Sequence, residues 1–263
     1  MAIQFQKPGL IVYLTCGDPT LESTREVALG AIDAGADVLE LGVPFSDPIA
    51  DGPVIQRASE RALARGTTLE QVLELGGDLR RQRPQPGLII FSYLNPILKF
   101  GLEKFCGAAK AAGLDGALVT DLTVEEADDY LRLMRAHKLA TVFLAAPTST
   151  DARLRNIAAA SGGFVYAVSR TGVTGAQQQL AGDAKLLVAR LRRVTKLPIA
   201  VGFGISTPQQ FHEAGKFADA AVVGSAIVKI IEDRAAQGDA ALAVGEFIRA
   251  LKATPASAKS AQR

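Results

Sequence analysis

The chain has 263 residues, 29 Lys+Arg against 27 Asp+Glu for a formal net charge of +2, and 48% of it is hydrophobic. A chain this apolar and this evenly charged is not disordered, and it can bury the core of one large domain or two small ones. Its two surplus positive charges give no argument for nucleic acid.

Short apolar runs alternate with longer amphipathic stretches along the whole sequence. The runs are Leu10–Thr15, Val38–Val43, Leu88–Tyr93, Ala117–Thr120, Thr141–Ala145, Phe164–Val168, Ile199–Gly202 and Ala220–Val223. They are continuously apolar rather than alternating, as strands buried on both faces are. Each is followed by a helical pattern. Thr68 with Gln71, Thr123 with Glu126, and Thr207 with Gln210 fit the capping box that opens a helix. Gly35, Gly66, Gly113 and Gly215 stand near helix ends, where a left-handed residue is needed. Arg80-Arg81 with Arg83, and the stretch from Arg190 to Arg193, fall where helices end and read as solvated faces or termini.

Eight β-then-α units predict a single-domain (β/α)8 TIM barrel over residues 1–253, with a shortened N-terminal segment and a disordered, flexible tail over 254–263. A doubly wound open sheet shows the same alternation. The count of eight, and the absence of a G-x-G-x-x-G turn after the first strand, favour the barrel. The longest early apolar run, Leu10 to Leu14, is too short for a signal-peptide core or a membrane span. Cys16 and Cys106 fit buried thiols in a reducing compartment. The expected location is cytoplasmic, or an organelle stroma with the transit peptide absent.

In such a barrel, chemistry sits where the strands end and the following loops begin. The two histidines, His137 and His212, fall within helices, so neither a His-based triad nor a His-rich metal site can be built; no metal is expected. The absence of lysine from the strand ends disfavours a Schiff base. Acid–base work falls to carboxylates, with tyrosine as a helper. Glu40 lies inside the apolar run of the second strand, where an unpaired carboxylate is costly. It is either half of a buried ion pair with an arginine or a proton donor and acceptor whose pKa burial has raised. Asp51 lies in the long loop after that strand, where turn and function weigh equally, whereas Asp47 reads as a turn residue. Glycine-rich segments follow the sixth, seventh and eighth strands, including Gly175, Phe203-Gly204 and Gly224-Ser225. Together they suit a phosphate cradle of backbone N–H groups.

The stretch from Glu40 to Pro53, with Gly17-Asp18-Pro19, Tyr93 with Asn95-Pro96, Gly172 to Gly175, and Gly202 to Ile205, resembles the signature of the tryptophan synthase alpha chain family over about residues 10 to 250. The resemblance implies a lyase that splits indole-3-glycerol phosphate into indole and glyceraldehyde 3-phosphate. By that resemblance Glu40 matches the principal acid/base and Asp51 the carboxylate that holds the indole N–H. Tyr166 matches the tyrosine beside the glutamate. Gly175, Phe203, Gly204, Gly224 and Ser225 match the phosphate cradle. Tyr13 and Phe91 match the indole pocket, and Thr174 the loop that closes over substrate. No cofactor is implied for this chain; pyridoxal phosphate belongs to the beta chain, the expected partner in an αββα complex. Pro44, Asp47, Asn95 and Thr123 match the partner interface.

Three positions depart from the family pattern. Thr123 stands where the family commonly has proline, Val12 sits where the family often has proline, and only eight residues precede Gly9 where family members usually carry a helix sealing the barrel floor. Two rival readings remain at this point: a free-standing lyase that releases indole, and a non-catalytic subunit that activates beta. A neighbouring barrel enzyme, the indole-3-glycerol phosphate synthase, is disfavoured because it needs a lysine at a strand end.

Overall fold

The computed structural model describes residues 3, 5–168, 177–202 and 204–253. In chain order the elements are Gly9–Thr15 (β1), Leu21–Asp33 (α1), Val38–Gly42 (β2), Pro53–Ala64 (α2), Leu69–Gln82 (α3), Gly87–Ser92 (β3), Leu94–Phe100 (α4), Leu102–Ala111 (α5), Gly116–Val119 (β4), Asp128–Ala136 (α6), Ala140–Ala145 (β5), Asp151–Ala160 (α7), Val165–Val168 (β6), Gln177–Leu191 (α8), Ile199–Gly202 (β7), Pro208–Gly215 (α9), Ala220–Val223 (β8), Ser225–Arg234 (α10) and Ala240–Lys252 (α11). The strands pair in parallel, each with the next, and β8 returns to β1, so the sheet is a closed barrel. The open-sheet alternative is thereby excluded.

Side-chain parity divides the core into two parts. In β1, Leu10, Val12 and Leu14 join the shell under the helices, while Ile11 joins the barrel interior. In β2, Leu39 and Leu41 face the shell and Val38 the interior, so Glu40 points into the barrel. The same alternation turns Tyr13, Phe91 and Tyr166 inward.

The floor is held by three aspartates, one immediately before each of β2, β4 and β8. Asp37 accepts the Leu10 N–H at 2.8 Å, Asp115 the Leu88 N–H at 2.8 Å, and Asp219 the Ile199 N–H at 2.9 Å. Each carboxylate also meets a cation: Lys252 for Asp37, Arg80 for Asp115, and both Lys7 and Arg192 for Asp219. Thus Arg80 and Arg192, expected on solvated helix ends, lock strand starts instead. Below the barrel, Ile3 and Phe5 pack on the interior cluster, with Phe5 edge-on to Phe164 at 5.9 Å. Among the described residues before β1, Ile3 and Phe5 therefore close the floor. Gly9 admits the ring, because a Cβ there would stand 2.6 Å from Phe5.

Two local expectations are corrected. Capping boxes form at Thr68 and Thr207, but Thr123 opens only a 3-10 turn over Val124–Glu126, and its side chain makes no cap hydrogen bond. The Thr123 hydroxyl instead meets the Glu126 carboxylate at 3.3 Å, leaving the next α-helix to start at Asp128. Gly35, Gly66 and Gly113 do take positive φ, whereas Gly215 does not. Gly215 is small for a different reason: a Cβ there would lie 2.5 Å from Pro8.

Candidate active site

The side chain of Glu40 is 1% exposed, and Oε1 has no hydrogen-bond partner among the described residues. No described arginine pairs with it, so among the described residues the reading of Glu40 as half of an ion pair finds no partner. Burial pushes its carboxyl up to about 8, leaving it protonated at neutral pH and close to the point of release. Tyr166 of β6 also turns into the barrel, and burial, then the Glu40 charge, holds its hydroxyl well above the ordinary tyrosine range. Tyr13, beside Glu40 in the β1–β2 register, is raised in the same sense by burial and then by the Asp51 charge. Its ring meets Phe91 edge-on at 4.9 Å, and these two rings make one wall of the mouth.

Two glycines make space for the tyrosines. A Cβ on Gly42 would stand 2.5 Å from the Tyr13 hydroxyl oxygen, and one on Gly202 would stand 2.4 Å from that of Tyr166. Each tyrosine leans over the glycine on the neighbouring strand, so β2 and β7 must end without side chains at these points.

Asp51 sits at the rim in the loop between β2 and α2. Its backbone N–H returns to the Pro48 carbonyl at 3.0 Å, and the Gln56 amide donates to its carbonyl at 2.9 Å. The Tyr93 hydroxyl, from the end of β3, reaches the Asp51 carboxylate at 3.1 Å. Phe45 packs on the Tyr93 ring at 5.1 Å. Tyr93 and Gln56 are thus part of the site, although sequence reasoning gave neither a role. The available signal was weak: Tyr93 stands at a strand end, and a buried tyrosine hydroxyl needs a partner.

β7 and β8 pair side by side, and β8 is one strand removed from β2 around the barrel. Gly204 has φ +80 with nothing within 4 Å of where a Cβ would stand. Gly224 caps α10 and Ser225 begins it, with no side-chain cap hydrogen bond, and a helix start of this kind suits an anion. Gly175, Thr174 and Phe203 lie outside the described residues. The described part of the site therefore holds Glu40, Tyr166, Tyr13, Phe91 and Asp51, with Gly204, Gly224 and Ser225 at the ends of β7 and β8 and Gly224 against Tyr13.

On the outer face of the loop, Asp47 is exposed and Ile49 is 84% exposed, while Pro44 is buried beneath them. Asn95 and Leu98 are exposed on α4, and Thr123 is half-buried nearby in sequence to the Asp121 carboxylate, which accepts the Leu94 N–H at 2.7 Å. Among the described residues no group of three or more His, Cys, Asp or Glu side chains could hold a metal ion, and no helix is long and apolar enough to cross a membrane.

Residues 2–254 match the family model described as tryptophan synthase alpha chain. The tryptophan synthase alpha chain of Solibacter usitatus is 51% identical over 94% of this chain and 92% of its own. Among solved structures, a mutant tryptophan synthase alpha-subunit from Pyrococcus furiosus superposes with a TM-score of 0.86 at 38% identity, covering 94% of this chain and 99% of that one. The aminoacrylate-bound form of tryptophan synthase from M. tuberculosis superposes with a TM-score of 0.83 at 32% identity, covering 94% of each chain.

Proposed function

The chain belongs to the tryptophan synthase alpha chain family, and from that premise we propose that it cleaves indole-3-glycerol phosphate to indole and glyceraldehyde 3-phosphate, with Glu40 moving the protons. The observation that carries this reading is the buried Glu40 carboxyl, whose Oε1 has no partner among the described residues and whose pKa is held at about 8 inside the barrel.

The protonated Glu40 gives its proton to C3 of the indole ring while Asp51 takes the N–H proton, which yields the indolenine tautomer. The Glu40 carboxylate then removes the proton of the side-chain hydroxyl next to C3. The C–C bond breaks: the hydroxyl carbon becomes the aldehyde, the bond's electron pair returns to the ring, and the ring nitrogen recovers its proton from Asp51. Both carboxyls end as they began. Tyr166 keeps water from Glu40 and favours its neutral form. Tyr13 and Phe91 hold the ring, and the backbone N–H groups at Gly204, Gly224 and Ser225 take the phosphate. Gly175 and Phe203 complete that cradle, and Thr174 belongs to the closing loop. None of these steps calls for a cofactor on this chain.

The same reading pairs this chain with a beta chain, which would carry the pyridoxal phosphate and receive the indole. Exposed Asp47, Ile49, Asn95 and Leu98 beside the mouth support a docking face there, with Pro44 as its buried support and Thr123 at its edge. Indole release from indole-3-glycerol phosphate, measured with and without a tryptophan synthase beta chain, tests both parts. Slow release accelerated by beta supports them. Fast release indifferent to beta would indicate a free-standing lyase, and no release would remove the catalytic reading.

A further inference from the structure

Asp18, just past the end of β1, is 3% exposed, and a charge that deeply buried needs a partner. Arg61 of α2 supplies one: its Nε and Nη2 each donate to an Asp18 carboxylate oxygen at 2.8 Å. The third nitrogen, Nη1, donates to Glu232 of α10 at 2.9 Å. Arg57, one turn earlier on α2, grips both oxygens of Glu232 at 2.9 Å and also donates to the Pro53 carbonyl at 3.2 Å. Arg57 first, then Lys229 of α10 and Arg61, hold the Glu232 carboxyl down at about 2, so the bridge stays ionised throughout the neutral range. Beneath the ions, Ala58 of α2 and Val228 of α10 pack together with Tyr13.

These elements are the ones that carry the two ends of the site. α2 begins two residues after Asp51, and α10 begins at Ser225. We infer that Arg61 is a positioning residue for the proposed cleavage. Through Asp18 and Glu232 it fixes the distance between the Asp51 loop, which takes the ring nitrogen, and the helix start that takes the phosphate. The inference rests on the reading under Proposed function. An intact substrate must satisfy both ends at once, and a misplacement of about 1 Å can cost roughly a hundredfold in rate. A fragment that touches one end has no such demand.

The test uses Arg61→Lys and Glu232→Gln. The second variant leaves the Arg61–Asp18 pair intact and takes the charge from the acceptor that Arg57, Arg61 and Lys229 share, which protects the experiment against a misfolded Arg61 variant. For wild type and each variant, kcat and KM are measured for indole-3-glycerol phosphate, dissociation constants are measured separately for glycerol 3-phosphate and for indole, and the unfolding midpoint serves as a control. The expected result for Glu232→Gln is a tenfold or greater fall in kcat, with both fragment affinities within about threefold of wild type. A kcat within twofold of wild type overturns the inference. So does a parallel loss of kcat and both fragment affinities with a lowered midpoint, which marks a merely structural role. If the wild-type chain does not cleave the substrate, the functional reading fails and the inference with it. An active wild type with unaffected variants fails the inference alone.

Discussion

The hydroxyl of Tyr93 donates to the Asp51 carboxylate at 3.1 Å and accepts the Ala50 N–H at 2.9 Å, so a single group from the end of β3 fixes both the side chain and the backbone of the loop after β2. A hydrogen bond to a charged group contributes about 1.5–3 kcal/mol. Tyr93→Phe keeps the ring against Phe45 and removes only this anchor. It is expected to lower kcat for indole-3-glycerol phosphate by about tenfold to a hundredfold, on that same energy scale, with a thermal midpoint lowered by about 3–10 °C. Steady-state kinetics beside a melting curve checks this; an unaffected kcat would mean that Asp51 needs no anchor.

Glu40 makes stability depend on pH. Its folded-state pKa, about 8, lies above the ordinary 4.5, so the folded chain holds a proton that the unfolded chain releases. Below the ordinary value this group costs nothing. As pH rises toward 8 the penalty grows, and above 8 it is complete. Between pH 5 and pH 9 the wild type should lose about 4 kcal/mol through this group, at about 1.4 kcal/mol per pKa unit. Glu40→Gln cannot titrate, so its urea unfolding curves at the two pH values should differ by that much less than those of the wild type. Equal pH dependence in both proteins would show that Glu40 titrates as an exposed glutamate does.

Gly202 and Tyr166 should be coupled. Gly202→Ala places a methyl group 2.4 Å from the Tyr166 hydroxyl oxygen and 3.1 Å from its nearest ring carbons. Overpacking of this kind costs about 1–3 kcal/mol. Adding Tyr166→Phe removes the closest atom, so the double variant should recover part of the stability lost in Gly202→Ala. A double-mutant cycle in denaturant reads the coupling; strict additivity would place the methyl group elsewhere.

The barrel floor should respond to acid through Asp219. Burial alone would raise its carboxyl, but Lys7, the Ile199 N–H and Arg192 outweigh that and hold it below its ordinary value of 3.8. A carboxyl lowered in this way gives stability that is present above the unfolded value and lost as pH falls through the folded one. Asp219→Ala should destabilise the chain by about 2–4 kcal/mol at neutral pH, by leaving two cations and a strand N–H without their acceptor, while kcat at 25 °C stays within about twofold of wild type. A large fall in kcat without loss of stability would contradict a role confined to the floor.

Much of this molecule was legible in the sequence because the barrel is built from local signals. All eight apolar runs lie within a residue or two of the observed strands, since each is bounded by turn chemistry and buried on both faces. Glu40 was singled out because one charge in such a run violates the pattern, and such violations are where a functional site is expected. The Tyr93–Asp51 bond was not legible: it joins residues 42 apart through a loop with no periodicity. Nor was the Arg61 bridge, whose three partners meet only when β1, α2 and α10 are assembled. Thr123 misled because its spacing to Glu126 suits a capping box, whereas the chain makes a 3-10 turn there. At Gly215, proximity to a helix end suggested a left-handed residue where the constraint is the approach of Pro8.

The most direct test is indole release from indole-3-glycerol phosphate by the wild-type chain and by Glu40→Gln, each assayed alone and with a tryptophan synthase beta chain. The expected result is release by wild type that beta accelerates, and a fall of at least about a thousandfold in Glu40→Gln in both conditions, the scale of losing the group that moves the proton in the reacting step. Release by Glu40→Gln at a rate near that of wild type would contradict the assignment of proton transfer to Glu40.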